Sequence, residues 1–297
     1  MTSDDAGVEV ARWEAIGEYR TLLGHRIFTM SLPASERDTA EPLVVLHGFP
    51  TSSYDFHAVV DALRRDRAVH FVDFLGYGLS DKPDRAYTMS LQADIVVAFL
   101  GEIGLARFAL LSHDMGDTVG GELLARVLDG SWEADVTRRV VTNGSIYIEM
   151  AHLSPGQELL LTLPDERLDN DGLLDAAAVG AGVAATFSAQ SHVDTREVDV
   201  MARFVARDEG QRILPRLIRY IEERRRDEQR FTGAIEVHPS PLAIVWGADD
   251  PIAVVAMSDR LHQARPDAAL TVLDGVGHYP MLEAPARFAA AVTAALR

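Results

Sequence analysis

The chain has 297 residues, 47% hydrophobic and 25% charged, a composition in the range of globular proteins that excludes a fibrous repeat or a disordered chain. Its 45 acidic against 28 basic side chains leave a net charge of −17, which repels nucleic-acid phosphates and anionic lipid headgroups, so neither nucleic acid nor membrane is expected as a partner. With no cysteine there is no disulfide and no thiolate chemistry, and no apolar run reaches the roughly 18 residues of a membrane-spanning helix.

The opening MTSDDAGVEV has neither a basic n-region nor an apolar h-region, so a cytoplasmic location is expected, and the acidic stretch Thr2 to Gly7 reads as a loose tail. WEAIGEYRTLLGHRIFTMSL then reads as two antiparallel strands at one edge of a sheet. Apolar runs bounded by turn residues predict further strands at Pro42–His47, Ala68–Asp73, Phe108–His113, Arg139–Asn143, Leu242–Trp246 and Leu270–Leu273. Helical patterns lie near Ser53–Arg64, Ser90–Ile103, Gly116–Leu128, Ile252–Ala264 and Pro285–Leu296. The alternation predicts an α/β fold with a mostly parallel central sheet flanked by helices.

The rhythm breaks between Tyr147 and about Gly233, where only helical patterns occur, among them QRILPRLIRYIEERRRDEQRF. A helical insertion at this point reads as a cap over the carboxyl edge of the sheet, where open α/β sheets bind ligands. The expected organisation is a first core part at 1–146, a helical cap at 147–233 inserted after the sixth strand, and a second core part at 234–297. EERRRDEQR reads as a solvated helix face carrying i,i+4 pairs such as Glu222–Arg226.

Three motifs carry chemistry. The strand Phe108–Ser112 turns at Ser112-His113-Asp114-Met115-Gly116 into a helix, with small residues two before and two after Asp114. That spacing is a nucleophile elbow, a sharp turn exposing its middle side chain at the sheet edge, and the helix N-terminus beyond it favours negative charge. Taken alone, Asp114 could be an N-cap. Two later motifs, in the chain order nucleophile, acid, histidine, argue for a triad. VWGADDP follows a buried strand and offers Asp249 and Asp250, of which Asp250 is the expected acid. GVGHYPMLEAP sets His278 in a glycine-rich loop as the expected general base. LHGFP, residues 46–50, would supply an oxyanion hole from the Phe49 and Met115 amides, with His47 structural. The dispersed histidines give no metal-ligand spacing, and GYG after Leu75 lacks the rest of a dinucleotide fingerprint.

HGFPTSSYDF, DFLGYGLSDKP, LLSHDMGD, VWGADDP and GVGHYPMLEAP together resemble the α/β-hydrolase superfamily, specifically its Asp-nucleophile branch of epoxide hydrolases and haloalkane dehalogenases. SHDMGDTVGGELLARV, TNGSIYIE and LIRYIEERRR look most like the mesoderm-specific transcript-like hydrolases and their bacterial relatives. The resemblance implies a cofactor-free, epoxide-hydrolase-like enzyme acting on a small apolar molecule, and it leaves a homodimer open. A carboxylate nucleophile suits such substrates: attack on an ester would give an anhydride, whereas attack on an sp³ carbon gives an alkyl ester that water hydrolyses.

Epoxide and halide differ in what the leaving atom needs. Dehalogenases hold the halide with a Trp after the nucleophile and a second Trp or Asn; here those places hold Met115 and Phe49, and Trp13, Trp132 and Trp246 lie outside the cap. Family epoxide hydrolases protonate the opening oxygen with cap tyrosines. Tyr220, on one helical face with Ile213, Leu217 and Ile221, is the expected donor, with Tyr147 at the start of the cap as the second, although the family's first tyrosine usually lies further in. The expected function is hydrolysis of small epoxides to vicinal diols through an aspartyl alkyl-enzyme. The alternatives are a dehalogenase with the same triad, an esterase acting through Ser112, and a ligand-binding relative without turnover.

Overall fold

The computed structural model describes residues 4–169, 174–191 and 194–297. Eight strands, β1 (Glu18–Leu22), β2 (His25–Leu32), β3 (Leu43–Leu46), β4 (Val69–Val72), β5 (Arg107–His113), β6 (Asp135–Thr142), β7 (Leu242–Gly247) and β8 (Ala269–Leu273), form one sheet in the order β1-β2-β4-β3-β5-β6-β7-β8. β1 and β2 run antiparallel to their neighbours and every other pairing is parallel. The strands read as apolar runs because both faces are covered. In β3, Val44 and Leu46 join one hydrophobic cluster while Leu43 and Val45 join the other.

Helices α1 (Asp4–Ala15), α2 (Val60–Leu63), α3 (Met89–Glu102) and α4 (Met115–Asp129) belong to the first part of the chain. Between β6 and β7 come α5 (Pro155–Thr162), α6 (Ala176–Ala184), α7 (Thr195–Ala206), α8 (Leu214–Leu217) and α9 (Tyr220–Val237). The chain closes with α10 (Ala256–Ala264), α11 (Pro280–Glu283) and α12 (Pro285–Ala295). Among the described residues no helix is long and apolar enough to cross a membrane.

Register positions the site. Leu46 pairs with Ser112 and His113 with Thr142, so the loops leaving β3, β5 and β6 emerge side by side at one sheet edge.

Several expectations need correction. The acidic start is helix α1 from Asp4 onward, not a tail, and Trp13 at its far end holds it down: the indole stands edge-on to Tyr54 and Phe71 and donates to Ser53 Oγ at 3.2 Å. Thr2 and Ser3 lie outside the described residues. The Ser53–Arg64 helix is broken into a 3-10 turn at Ser53–Phe56 and α2. β6 begins at Asp135, four residues earlier than its sequence implies, because the charged pattern hides it. Arg139 within it is buried and gives its guanidinium protons to the Ile235, His238 and Ser240 carbonyls. The last helix of the insertion runs on to Val237.

Candidate active site

The elbow after β5 puts Asp114 at φ 50°, ψ −116°, a backbone conformation that persists only where its surroundings hold it. Gly116 is required by close approach: a Cβ there would lie 2.6 Å from the Leu46 and His47 carbonyl oxygens. A Cβ on Gly48 would lie 2.8 Å from Asp114 Oδ2. Into this narrow space the Phe49 amide donates to Asp114 Oδ2 at 2.8 Å. Met115, whose amide sequence reasoning pairs with that of Phe49, is the first residue of α4, where backbone N–H groups have no partner within the helix. His47 holds the loop. Its Nδ1 donates to the Gly48 carbonyl at 2.8 Å and its Nε2 accepts from the Phe74 amide at 3.0 Å, and burial lowers its pKa.

Asp250 follows β7 and is buried among four donors. Oδ1 accepts from the Ile252 and Ala253 amides at 2.7 and 3.0 Å, and Oδ2 accepts from Asn143 Nδ2 at 2.7 Å and His278 Nδ1 at 2.8 Å. The last bond commits the Nδ1 proton and leaves Nε2 for chemistry. Asp249 faces away, accepting from Ser188 Oγ at 2.8 Å and Gln190 Nε2 at 3.3 Å. Of the two carboxylates, Asp250 is the one brought to His278, as its position before Pro251 suggests.

The backbone around His278 is fixed from three sides. His113 Nε2 donates to its carbonyl at 2.8 Å, its own amide donates to the Thr186 carbonyl at 3.1 Å, and Glu283 accepts from the Gly277 and Tyr279 amides. Burial opposes the imidazolium, but the charge and hydrogen bond of Asp250, then the charges of Asp114 and Glu283, outweigh it and raise the pKa to about 9.

A cavity of about 100 Å³ lies against this edge. The core contributes Phe49, His278 and Tyr279 to its wall, and the helical insertion contributes Gln157, Leu160 and Val183. The surface is mainly apolar with a few polar groups, the usual make-up of a small-molecule site. Asp114 is 3% exposed, accepts from the Phe49 amide and is not itself among the lining residues.

The two tyrosines expected from the sequence part company. Tyr220 is buried, as are Ile213, Leu217 and Ile221, but they do not share one helical face as the sequence suggests: Ile213 ends a 3-10 turn, Leu217 ends α8 and Tyr220 opens α9; the Tyr220 ring meets that of Phe49 at 5.5 Å. Burial raises its pKa, and the charge of Asp114 adds to this. Tyr147 is not brought to the site: its hydroxyl donates to Glu236 at 2.7 Å and the Arg260 guanidinium lies 4.0 Å from its ring, because the loop after β6 turns it beneath the end of α9. Neither Tyr220 nor Tyr147 is among the residues that line the cavity.

EERRRDEQR is not uniformly solvated. Arg224 is 1% exposed and donates to Thr118 Oγ1 at 2.8 Å and the Ser145 carbonyl at 2.9 Å, which ties α9 to α4, while Glu222 pairs with Arg219 rather than Arg226. Asn143, at φ 50° just after β6, also escaped sequence reading. It donates to Asp250 and accepts from the Gly247 amide at 3.0 Å. Its signal was the Asn-Gly pair ending a strand, a context that tolerates positive φ.

The comparisons agree with this architecture. Residues 43–291 match the model of the alpha/beta hydrolase family. "Putative hydrolase LipZ" of Mycobacterium tuberculosis is 36% identical over 288 residues, covering 97% of this chain and 98% of that protein. The human "Mesoderm-specific transcript homolog protein" is 32% identical over 292 residues, covering 93% and 84%. The crystal structure of an alpha/beta hydrolase fold protein from Burkholderia ambifaria superposes with a TM-score of 0.72 at 24% identity, covering 93% of this chain and 97% of the other, a likeness of fold. The chain belongs to the alpha/beta hydrolase family.

Proposed function

We propose that this hydrolase opens small apolar epoxides to vicinal diols through an ester on Asp114, with residues 147–233 as its cap. The observation that carries the reading is the carboxylate at the elbow with one oxygen already bound by a backbone amide. Because Phe49 engages Oδ2, attack on the epoxide carbon falls to Oδ1. The resulting ester keeps Oδ2 as its carbonyl oxygen, so the same amide, joined by that of Met115, is in place for the oxyanion that forms when water adds to Cγ. Tyr220 donates to the oxygen released from carbon.

His278 takes the proton of the attacking water from Nε2 while Asp250 holds Nδ1. Its raised pKa favours the charged form in the resting site, yet a base must be neutral. Alkylation removes the Asp114 charge, one of the causes of that rise, and so moves the imidazole toward its basic form when it is needed.

An epoxide suits the site better than a halide. A departing halide needs N–H donors, and the Trp13 and Trp246 indoles already donate to Ser53 and to the Ala253 carbonyl, while Trp132 packs on Phe108. An esterase through Ser112 is disfavoured because its hydroxyl donates to the buried Asp117.

The test is a single turnover in ¹⁸O-water. The first diol should carry no label, because its new oxygen is Oδ1, and the label should appear in the peptide containing Asp114. Labelled diol from the first turnover overturns the Asp114 mechanism.

A further inference from the structure

An opening epoxide oxygen bears a pair of electrons that needs a proton, and the resting imidazolium holds a proton that must leave before His278 becomes a base. One residue next to His278 meets both needs. Tyr279 is 1% exposed, lines the cavity, and stands with its ring perpendicular to the His278 ring at 5.1 Å between centroids. Burial raises the pKa of the phenol, Thr51 works against that rise, and Thr51 Oγ1 lies 2.5 Å from Asp55 Oδ2. Asp55 is fully buried, and its Oδ1 finds no hydrogen-bond partner among the described residues.

We propose that Tyr279 is a catalytic proton donor to the opening epoxide oxygen, held in its donating orientation by Thr51 and Asp55. The inference rests on the epoxide reading above and supplies, from the histidine loop, the second phenol that Tyr147 does not.

The orientation follows from counting protons. A threonine hydroxyl has one hydrogen, so Thr51 donates either to Asp55 or to Tyr279. Burial drives the Asp55 carboxyl well above the usual carboxylate range, against the Thr51 hydrogen bond and with the Asp73 and Asp114 charges adding to the rise. With Asp55 neutral, its proton goes to Thr51, Thr51 gives its own to the phenol oxygen, and the phenol O–H turns to the cavity. An apolar side chain at 55 removes that bias, and Tyr279 then spends its proton inward on Thr51, whereas an apolar side chain at 51 only takes away the donor that supports the phenolate.

The step balances. The Asp114 Oδ1–carbon bond forms, the epoxide carbon–oxygen bond breaks with its electrons on oxygen, and the Tyr279 proton moves to that oxygen. The phenolate, stabilised by Thr51, takes the Nε2 proton of the His278 imidazolium and leaves the neutral imidazole that hydrolysis requires. His278 then accepts a proton from water as the ester is cleaved, which restores carboxylate, imidazolium and phenol. Tyr220 hydrogen-bonds the same oxygen from above.

Rapid-quench mass spectrometry of the Asp114 adduct tests this with two alkylating probes, styrene oxide, which needs a proton, and benzyl bromide, which does not. Tyr279→Phe should slow styrene oxide opening on the order of 10²-fold and benzyl bromide alkylation far less. Asp55→Ala should approach Tyr279→Phe with styrene oxide, Asp55→Asn, whose amide still donates to Thr51, should recover most of the rate lost in Asp55→Ala, and Thr51→Val, which removes a donor without offering an acceptor, should lose less than Tyr279→Phe. Styrene oxide opening by Tyr279→Phe at the wild-type rate overturns the inference, as does an equal loss with both probes, which marks a packing role. If the wild type forms neither adduct nor diol from styrene oxide, the epoxide reading itself fails, an outcome visible before any variant is made.

Discussion

The carboxyl edge of the sheet and the helical roof above it are built on opposite plans. At the edge two carboxylates are each held by several hydrogen bonds: four donors converge on Asp250, and Glu283 accepts from three backbone amides, those of Ser188, Gly277 and Tyr279. The roof offers the cavity mostly apolar side chains such as Leu160 and Val183, with Gln157 as a polar exception. A fixed edge supplies geometry accurate enough for bond making, and an apolar roof excludes water and selects by shape. Chemistry should therefore be sensitive to single atoms at the edge, while changes in the roof should act on particular substrates.

The sharpest test of that division is His278→Gln. Under the proposed cycle alkylation survives and hydrolysis slows on the order of 10²–10⁴-fold, so an ester on Asp114 should accumulate and show in the intact mass after exposure to styrene oxide. Undiminished turnover with no adduct would remove His278 from the edge's chemistry.

Asp250→Asn should come next, with the ester hydrolysed roughly 10²-fold more slowly. It also has a pH signature. In the wild type the imidazolium persists through neutral pH and is lost as pH rises through about 9, so the stability it brings is fully present below the unfolded imidazole pKa and disappears across that rise. Removing the Asp250 charge leaves burial as the dominant influence and moves the titration to lower pH. Imidazole ¹⁵N shifts followed against pH should show that movement; a midpoint still near that of the wild type would mean that Asp250 does not set it.

The same contrast explains what sequence disclosed. The parallel strands were legible because both their faces are buried, which leaves runs such as LVVL with little else to be. The hydrogen-bonded pair Asp250 and His278 was legible because its loops are short and punctuated by Gly, Pro and paired Asp, so spacing and order carry information. Asn143 was not, since a single amide after a strand looks like any turn residue until its neighbours Asp250 and Gly247 arrive from a hundred residues away. Arg224 hid in a charge run because composition cannot say which of three successive arginines a helix turns inward. Helix α1 was missed because its acidic start is what sequence displays, whereas the buried Trp13 near its end is what fixes it.

Tyr220→Phe probes the roof. The phenol hydroxyl makes a hydrogen bond to developing charge, worth about 1.5–3 kcal/mol, so its loss should slow styrene oxide opening ~10-fold or more. The ring and its contact with Phe49 remain, so the melting temperature should change little. If the wild type releases bromide from 1-bromoalkanes faster than it opens styrene oxide, and Tyr220→Phe leaves both rates unchanged, a dehalogenase replaces the epoxide reading.

The smallest effect belongs to the place where edge and roof meet. Asp249 adjoins Asp250 in sequence but accepts from Ser188 and Gln190 of the helical insertion, with no hydrogen bond to His278. Two neighbouring carboxylates thus serve different regions: one accepts from the His278 imidazole, the other fastens the segment that carries the Thr186 carbonyl onto the histidine loop. Asp249→Asn preserves shape and one acceptor oxygen, so hydrolysis of the ester should change less than about 3-fold, in line with the modest worth of a hydrogen bond between a partly exposed pair. Its imidazole titration should follow that of the wild type. Measured beside Asp250→Asn, the ranking is the informative quantity: a larger loss in Asp249→Asn than in Asp250→Asn would move the acid one residue upstream and would mean that the fastening of the roof, rather than the anchoring of the imidazole, limits the reaction.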